Sequence, residues 1–347
     1  ALPSSNFARE TENHFDVMDY GATSDGTTDD SQAFLEAWDA ACSASTKYPR
    51  VVVPPNKTFL LYPVTFHGPC DASKINFMVR NENKISGTIM APNSASLWDE
   101  KDSSQWLVFR NMNGLNVDGF GTVDGRGQSW WDQSCKYHPQ LSPGNSPNTD
   151  GIHIHSSRHV VITNTQIGCG DDCISIGDRI SNIKISNVKC GPGHGISIGS
   201  LGKGGNYVQV EKIRVSDTFF NGTSNGARIK TWQVGRGYVR DVKFENIIFN
   251  CVKNPIIIDQ NYCDVKYACK ELESGVKISN VVYKELSGTS ATNVAINLNC
   301  SKSVPCMRIS MDSIRLKSGR FGSEVVANCT SAYGKETNVV PGDCLSR

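Results

Sequence analysis

Short strand-like triplets recur along this chain at a regular interval, and this repeat constrains the fold more than any other feature. Three triplets, each a polar residue between two isoleucines, begin 22 residues apart: Ile152-His153-Ile154, Ile174-Ser175-Ile176 and Ile196-Ser197-Ile198. Related triplets follow at Ala227-Arg228-Ile229 and Ile256-Ile257-Ile258, and Val294-Ala295-Ile296 is expected to be a looser copy. Repeats of about 20–50 residues indicate a solenoid. Because no helical pattern separates the triplets, we expect a parallel β-helix with coils about 4.8 Å apart.

A second series of apolar triplets lies between the first, and it predicts another strand in each coil. Its members are Val160–Ile162, Ile183–Ile185, Ile213–Val215, Val242–Phe244 and Val276–Ile278. Before the repeats, Phe15–Tyr20 alternates like a first strand. Residues Ser31 to Cys42 place Phe34, Leu35, Trp38 and Cys42 on one helical stripe. An all-β solenoid with a short N-terminal capping helix is therefore expected, the helix covering an open end.

Charged residues fall at matching positions of the repeat. Asp150, Asp172 and His194 occupy the same position in three successive coils, and Asp171 directly precedes Asp172. Arg228 and Lys230 follow on the next coil. Since a buried unpaired carboxylate is costly, each aspartate is expected at the bend into its strand. The residues between the apolar positions, His153, Ser175 and Ser197, are expected to form only a polar ladder.

Composition bounds the cellular setting. The net charge of +1 gives no electrostatic case for nucleic acid or membrane, and no run of 18 apolar residues occurs. The 13 cysteines, seven of them between Cys251 and Cys344, indicate disulfides and an oxidising compartment. Four glycosylation sequons, at Asn56, Asn221, Asn299 and Asn328, agree with this setting. We interpret residues 1–347 as one mature, secreted, solenoid domain, with the coils that carry the aligned charged residues at about 148–262.

The aligned motifs resemble those of plant polygalacturonases, a family of inverting glycoside hydrolases. The resemblance rests on four motifs and extends from about Phe15 to the C-terminus: Asn148-Thr149-Asp150, Gly170-Asp171-Asp172, Gly193-His194-Gly195 and Arg228-Ile229-Lys230. It implies a right-handed parallel β-helix that hydrolyses α-1,4 bonds between galacturonates of pectin without a cofactor or metal. The implied partners are de-esterified homogalacturonan and a proteinaceous polygalacturonase inhibitor, and the implied state is a monomer in the cell wall.

The resemblance also implies a role for each matching residue. Asp171 matches the general acid that protonates the leaving oxygen, and Asp150 with Asp172 matches the pair that holds and activates water. His194 matches the family's essential histidine beside the acid. The matching substrate-binding residues are Asn148, Arg228, Lys230 and Tyr262. Three clustered carboxyl groups should retain a proton in mild acid, and nearby cations suit an acidic sugar.

Several alternatives remain open at the level of the sequence. The aspartates could be strand-end residues or a calcium site, and a pectate lyase or a silent pectin-binding protein could use the same scaffold. Endo action is preferred over exo action, and the stretches 128–147 and 201–207 could block the groove. Rhamnogalacturonan is a less favoured substrate. The expected disulfides are Cys42–Cys70, Cys173–Cys190, Cys263–Cys269, Cys300–Cys306 and Cys329–Cys344.

Overall fold

A computed structural model describes residues 13–79, 87–98, 105–119, 121–127, 150–263 and 272–347. The described part contains one α-helix, α1 (Ser31–Cys42), and short 3-10 helices at Val17–Tyr20, Ala95–Trp98 and Lys203–Gly205. Its strands, numbered in chain order, are β1 (His14–Asp16), β2 (Asp25–Asp29), β3 (Arg50–Val53), β4 (Thr58–Leu60), β5 (Val64–His67), β6 (Ile75–Val79), β7 (Thr88–Met90), β8 (Leu107–Arg110), β9 (Asn113–Asp118), β10 (Thr122–Asp124), β11 (Ile152–His155), β12 (Arg158–Gly168), β13 (Ile174–Ile176), β14 (Ile180–Cys190), β15 (Ile196–Leu201), β16 (Tyr207–Asn221), β17 (Asn225–Trp232), β18 (Arg236–Val252), β19 (Asn254–Tyr262), β20 (Lys277–Ser290), β21 (Val294–Asn299), β22 (Cys306–Ser318), β23 (Val326–Thr330) and β24 (Ala332–Val340).

These strands form two long sheets whose neighbouring strands are parallel. Sheet A follows the order β1-β3-β6-β9-β12-β14-β16-β18-β20-β22-β24, with β2, β4, β7 and β10 beside this path. Sheet B follows the order β23-β21-β19-β17-β15-β13-β11-β8-β5. From β11 onward the chain alternates between the sheets, so each of these coils adds one strand to both. The prediction of an all-β parallel β-helix is thereby confirmed.

The register of sheet B reproduces the sequence repeat. Ile152 pairs with Ile174, Ile174 with Ile196, and Ile196 with Ala227. The expected triplet Val294–Ile296 is wrong, because Ile256 pairs with Ile296. The next coil therefore contributes Ile296-Asn297-Leu298, two residues later than predicted. Alternation continues through β21, and a shift of two residues keeps the same face inward, so the pattern alone did not fix the pairing register.

Sheet A also follows the repeat, with one correction. Val160, Ile183, Ile213 and Val242 are aligned across successive strands, but Val242 then pairs with Val281 and not with Val276. The expected triplet Val276–Ile278 is therefore out of register. A left-handed bend lies at Asn280 (φ 56°), and apolar residues alternate on both sides of it. The triplet Val276–Ile278 before the bend therefore resembles Val281–Tyr283 after it, which is the triplet in register.

Asparagine and aspartate residues form the bends within sheet A. Asn164, Asn187, Asp217 and Asn246 all have left-handed φ angles, which these residue types tolerate well. Their side chains bond from coil to coil: Asn187 Nδ2 donates to Asn164 Oδ1 at 2.6 Å, and Asn246 Nδ2 donates to Asp217 Oδ1 at 2.6 Å. The bends therefore stack in register, and the position of each coil over the last is fixed.

The predicted capping helix is present at the N-terminal end. α1 buries Phe34 and Trp38, which pack against the rings of Phe59, Phe66, Phe77 and Phe109. Trp38 Nε1 also donates to the carbonyl of His67 at 2.9 Å. The expected strand Phe15–Tyr20 is corrected, because β1 ends at Asp16. The Asp16 carboxylate accepts from Met18 N and begins the 3-10 helix Val17–Tyr20.

Disulfides close four of the predicted loops. The bonded pairs are Cys42–Cys70, Cys173–Cys190, Cys300–Cys306 and Cys329–Cys344. Cys263 is also disulfide-bonded, while its expected partner Cys269 lies outside the described residues. Cys169 and Cys251 are free thiols, the first buried and the second exposed. No helix of the described ranges is long and apolar enough to cross a membrane.

Candidate active site

Three acidic residues and a histidine lie at one edge of sheet B. Asp150 precedes β11, Asp171 and Asp172 precede β13, and His194 precedes β15. Because these strands are consecutive and parallel, their leading residues meet at the same edge. All four side chains are buried, between 1% and 8% exposed. The expected position at the bend into each strand is observed, whereas Asn148 lies outside the described residues.

Asp150 is bonded to the coil that follows it. Ser175 Oγ donates to Asp150 Oδ2 at 2.5 Å, and the backbone N–H of Asp172 donates to Asp150 Oδ1 at 3.3 Å. His153 Nδ1 lies 2.6 Å from Ser175 Oγ and 3.8 Å from Asp150 Oδ2. Ser175 therefore links His153 to the carboxyl group of Asp150.

Asp172 is held by donors from the two coils beyond it. Ser197 Oγ donates to Asp172 Oδ1 at 2.7 Å, and Lys230 Nζ donates to Asp172 Oδ2 at 3.0 Å. An amino group of Arg228 lies 3.6 Å from Asp172 Oδ1. Lys230 and Arg228 are themselves buried, so they provide concentrated positive charge directly beside the carboxyl cluster.

Asp171 pairs with the aligned histidine. His194 Nδ1 lies 2.7 Å from Asp171 Oδ1, and the backbone N–H of His194 donates to the Asp171 carbonyl at 2.5 Å. Both side chains are at most 8% exposed. The two contacts fix the Asp171 carboxyl group relative to the next coil, and they place an ionisable base against it.

Burial and neighbouring charges shift the pKa values of Asp150 and Lys230. Burial, and then the charges of Asp171 and Asp172, raise the pKa of Asp150 well above its usual value. Burial and Arg228 lower the pKa of Lys230, but the carboxylates of Asp172 and Asp171 outweigh both, so the pKa of Lys230 is raised. Burial therefore favours the protonated form of Asp150, and the neighbouring carboxylates favour the charged form of Lys230.

Aromatic side chains continue the site along sheet B. Lys230 Nζ lies 5.6 Å from the ring centre of Tyr262, and the Tyr262 ring meets Trp232 edge-on at 5.5 Å. Lys203 Nζ in turn lies 5.3 Å from the Trp232 ring. Among the described residues, none accepts a hydrogen bond from the buried Nε of Arg228. The structure therefore groups Arg228, Lys230 and Tyr262 as the sequence predicted.

Comparison with known proteins decides the family. The model of the family described as "Glycosyl hydrolases family 28" matches residues 42–143 and 140–337 of this chain. The chain belongs to glycosyl hydrolase family 28. A probable polygalacturonase of Arabidopsis thaliana is 40% identical over 95% of this chain and 84% of its own length. A polygalacturonase of Malus domestica is 39% identical over 94% and 78%. The resemblance to plant polygalacturonases is confirmed, and the protein is a glycoside hydrolase.

A solved structure supports the fold of this family 28 hydrolase. Endo-xylogalacturonan hydrolase from Aspergillus tubingensis superposes with a TM-score of 0.60, covering 94% of this chain and 98% of that one, at 21% identity. At this level of identity the likeness concerns the fold alone. It agrees with the observed stacking of parallel coils between sheets A and B.

A metal ion is a poor fit for this family 28 site. Asp171, Asp172 and His194 each offer one ligand atom, and these atoms lie within 4.8 Å of one another. His194 Nδ1 already contacts Asp171, and Lys230 lies 3.0 Å from Asp172, where its charge would repel a cation. Calcium takes about 6–8 oxygen ligands. The donor set of the described residues therefore suits a proton-transfer site better than the calcium site of the alternative interpretation.

Sequence reasoning missed two groups of contacts in this hydrolase. Ser175 and Ser197 were expected to form only a polar ladder, yet each hydroxyl donates to an aspartate of the preceding coil. The signal was present, because each serine lies 25 residues after the aspartate that it contacts. Trp232 and Lys203 were also missed, and no motif distinguished them from packing residues.

Proposed function

We propose that this protein is a polygalacturonase that hydrolyses α-1,4 bonds of pectic homogalacturonan with inversion at the anomeric carbon. The observation that carries the proposal is the buried contact of Lys230 with Asp172, beside Arg228 and the other two carboxyl groups. A glycosidase needs a carboxylic acid and a carboxylate around the bond. The adjoining cations suit a substrate whose sugars are themselves acids.

The proposed roles follow the chemistry of inversion. Asp171 donates a proton to the leaving glycosidic oxygen as the bond to the anomeric carbon breaks. Water held by Asp150 and Asp172 attacks that carbon from the opposite face, and its proton passes to this carboxyl pair. Arg228, Lys230, Tyr262 and Asn148 bind the substrate, and His194 positions Asp171.

The pKa of Asp150 sets a condition on these roles. Burial raises the pKa of Asp150 and favours its protonated form, whereas the assigned role requires its ionised form. Contact with the attacking water would hydrate Asp150 and remove part of that burial penalty. Asp171, as the assigned acid, is then the carboxyl group that must bring a proton to the leaving oxygen.

We infer endo action, with exo action as the alternative. Support comes from the stretch 201–207, where Lys203 lies 5.3 Å from the Trp232 ring on the neighbouring coil. This contact holds the stretch beside β17, and endo action requires that the groove continue past it at this end. The stretch 128–147 lies outside the described residues.

Disulfides and sequons support secretion to the cell wall, where a monomer would meet pectin and an inhibitor protein.

Product analysis tests the proposal. De-esterified polygalacturonate should yield new reducing ends in mild acid with a chelator present, and the first product should carry the inverted anomeric configuration in a proton NMR time course. An early fall in viscosity with mixed oligomers indicates endo action, whereas monomer with nearly constant viscosity indicates exo action.

Asp171→Asn should abolish hydrolysis, while Asp343→Asn, at an exposed position, should not. If the folded Asp171→Asn variant remained active, Asp171 would not be the general acid.

A further inference from the structure

A second groove lies on the outer face of sheet A, on a different sheet from the aspartates. It has a volume of about 580 Å³ and crosses the beginnings of β16, β18, β20 and β22. Four cationic residues line it against one acidic residue, Asp241: Arg236, Arg240, Lys277 and Arg308. The whole chain has a net charge of only +1. Positive charge is therefore concentrated in this groove.

Of these four cations, in the described part of the chain, one pairs with a carboxylate, one is bonded to a neutral side chain, and two remain for a ligand. Arg240 pairs with Glu211 at 2.6 Å, and Arg308 Nε bonds to the side chain of Asn280. Arg236 and Lys277 are exposed and have no carboxylate within ion-pair distance in the described part of the chain. These two residues can therefore bind an anionic ligand without breaking an existing ion pair.

Tyrosine rings alternate with the cations across neighbouring coils. Tyr207, 62% exposed, pairs with Arg236 between β16 and β18, and Tyr238 pairs with Lys277 between β18 and β20. The Arg240 guanidinium lies 4.2 Å from the ring centre of Tyr238. Each ring offers apolar area with a polar tip, and paired positions lie about 4.8 Å apart. Such a surface matches a polymer of sugar rings that carry regularly spaced carboxylates.

We propose that this groove is a second binding site for the uronate polymer, separate from the site of cleavage. The inference rests on the proposed function, which supplies an acidic polysaccharide as the long ligand present at the enzyme. Cations bind its carboxylates and Tyr207 packs against a sugar ring. Binding the same polymer at two places raises its effective concentration at the cleavage site. Short oligomers, which cannot reach both sites, gain nothing from the groove.

The charge contribution is tested in a catalytically silent Asp171→Asn background, so that binding is measured without hydrolysis. The probe is de-esterified polygalacturonate, and the variant is R236Q/K277Q. Its Kd should rise about fivefold, the size expected for two exposed ion pairs, and the difference should shrink with added salt. The control K184Q/K189Q removes the same charge from exposed positions of β14 in the same sheet. An unchanged Kd, or an equal rise in the control, overturns the proposal.

Two further measurements separate the polysaccharide from other ligands and from the proposed function. Tyr207→Ala should weaken binding of polygalacturonate but not of polyglutamate; if it affects neither, the groove is a general anion surface and the proposal fails. In the active enzyme, R236Q/K277Q should slow hydrolysis of the polymer and leave hydrolysis of trigalacturonate unchanged. If the unmodified enzyme hydrolyses neither substrate, the proposed function is wrong. The Kd values measured in the Asp171→Asn background then still show whether the groove binds the polymer.

Discussion

The Ser175 hydroxyl donates a 2.5 Å hydrogen bond to Asp150 on the preceding coil. Ser197 repeats the contact one coil later with Asp172, at 2.7 Å. These bonds cross from strand to strand, and each orients a carboxyl group that the proposed mechanism uses to hold water. The same stacking that builds the solenoid therefore positions the reacting groups.

Replacing Ser175 by alanine is expected to reduce kcat about tenfold, which corresponds to about 1.4 kcal/mol of barrier. Asp150 loses a hydrogen bond that favours its ionised form, so its pKa rises further and its orientation loosens. The measurement is a pH–rate profile of kcat/KM, whose acidic limb should move to higher pH. Ser181→Ala on sheet A serves as the control. An unchanged profile in a folded S175A protein would mean that the serine is only structural.

Asp150 should also make stability depend on pH. Its pKa is raised in the folded protein, so the folded state binds a proton that the unfolded state releases above about pH 3.9. This contribution is fully present below the unfolded pKa and is lost as pH rises through the folded pKa. The melting temperature of Asp150→Asn should therefore fall less over that interval than that of the unmodified protein. Parallel melting curves for the two proteins would contradict the raised pKa.

Removing Lys230 should be costly. Lys230→Met leaves the Asp172 carboxylate buried with less compensation, and loss of one partner of a buried pair destabilises by about 3–5 kcal/mol. Urea unfolding measures this loss. The matched control is Lys243→Met, since Lys243 pairs with Glu245 at 2.6 Å while both side chains are about one-third exposed. That change should cost about 0–1 kcal/mol. Equal losses in the two variants would show that the burial of the Asp172 pair has no energetic consequence.

The two free cysteines of the described ranges should differ in reactivity. Burial raises the pKa of the Cys169 thiol well above its usual value, and nearby Asp150 and Asp171 add to the effect. Cys251 is exposed. Iodoacetamide at neutral pH should therefore label Cys251 in the native protein and leave Cys169 unmodified until urea is added. Peptide mapping by mass spectrometry reads both sites, and native labelling of Cys169 would show that this part of the core opens.

Much of the architecture could be predicted because the repeat is local in the sequence. Identical spacing of isoleucines implies equal coils, and equal coils place Asp150, Asp172 and His194 at one edge. The predictions at Val294 and Val276 were wrong, because alternation runs through β21 and on both sides of the bend at Asn280, so more than one register satisfies the pattern. The single-domain interpretation of residues 1–347 and the assigned catalytic roles stay predictions.

The sequence by itself determined the fold class, the capping helix and the alignment of the charged residues, because parallel coils stack in register and residue spacing then becomes spatial order. Only the tertiary structure decided which donors hold each carboxyl group and how strongly Asp150 retains its proton. Hydrogen bonds such as that of Ser175 depend on side-chain orientation across coils, and the pKa of Asp150 depends on burial by distant residues. The cationic groove on sheet A likewise gathers residues from four strands, so no single stretch of sequence reveals it.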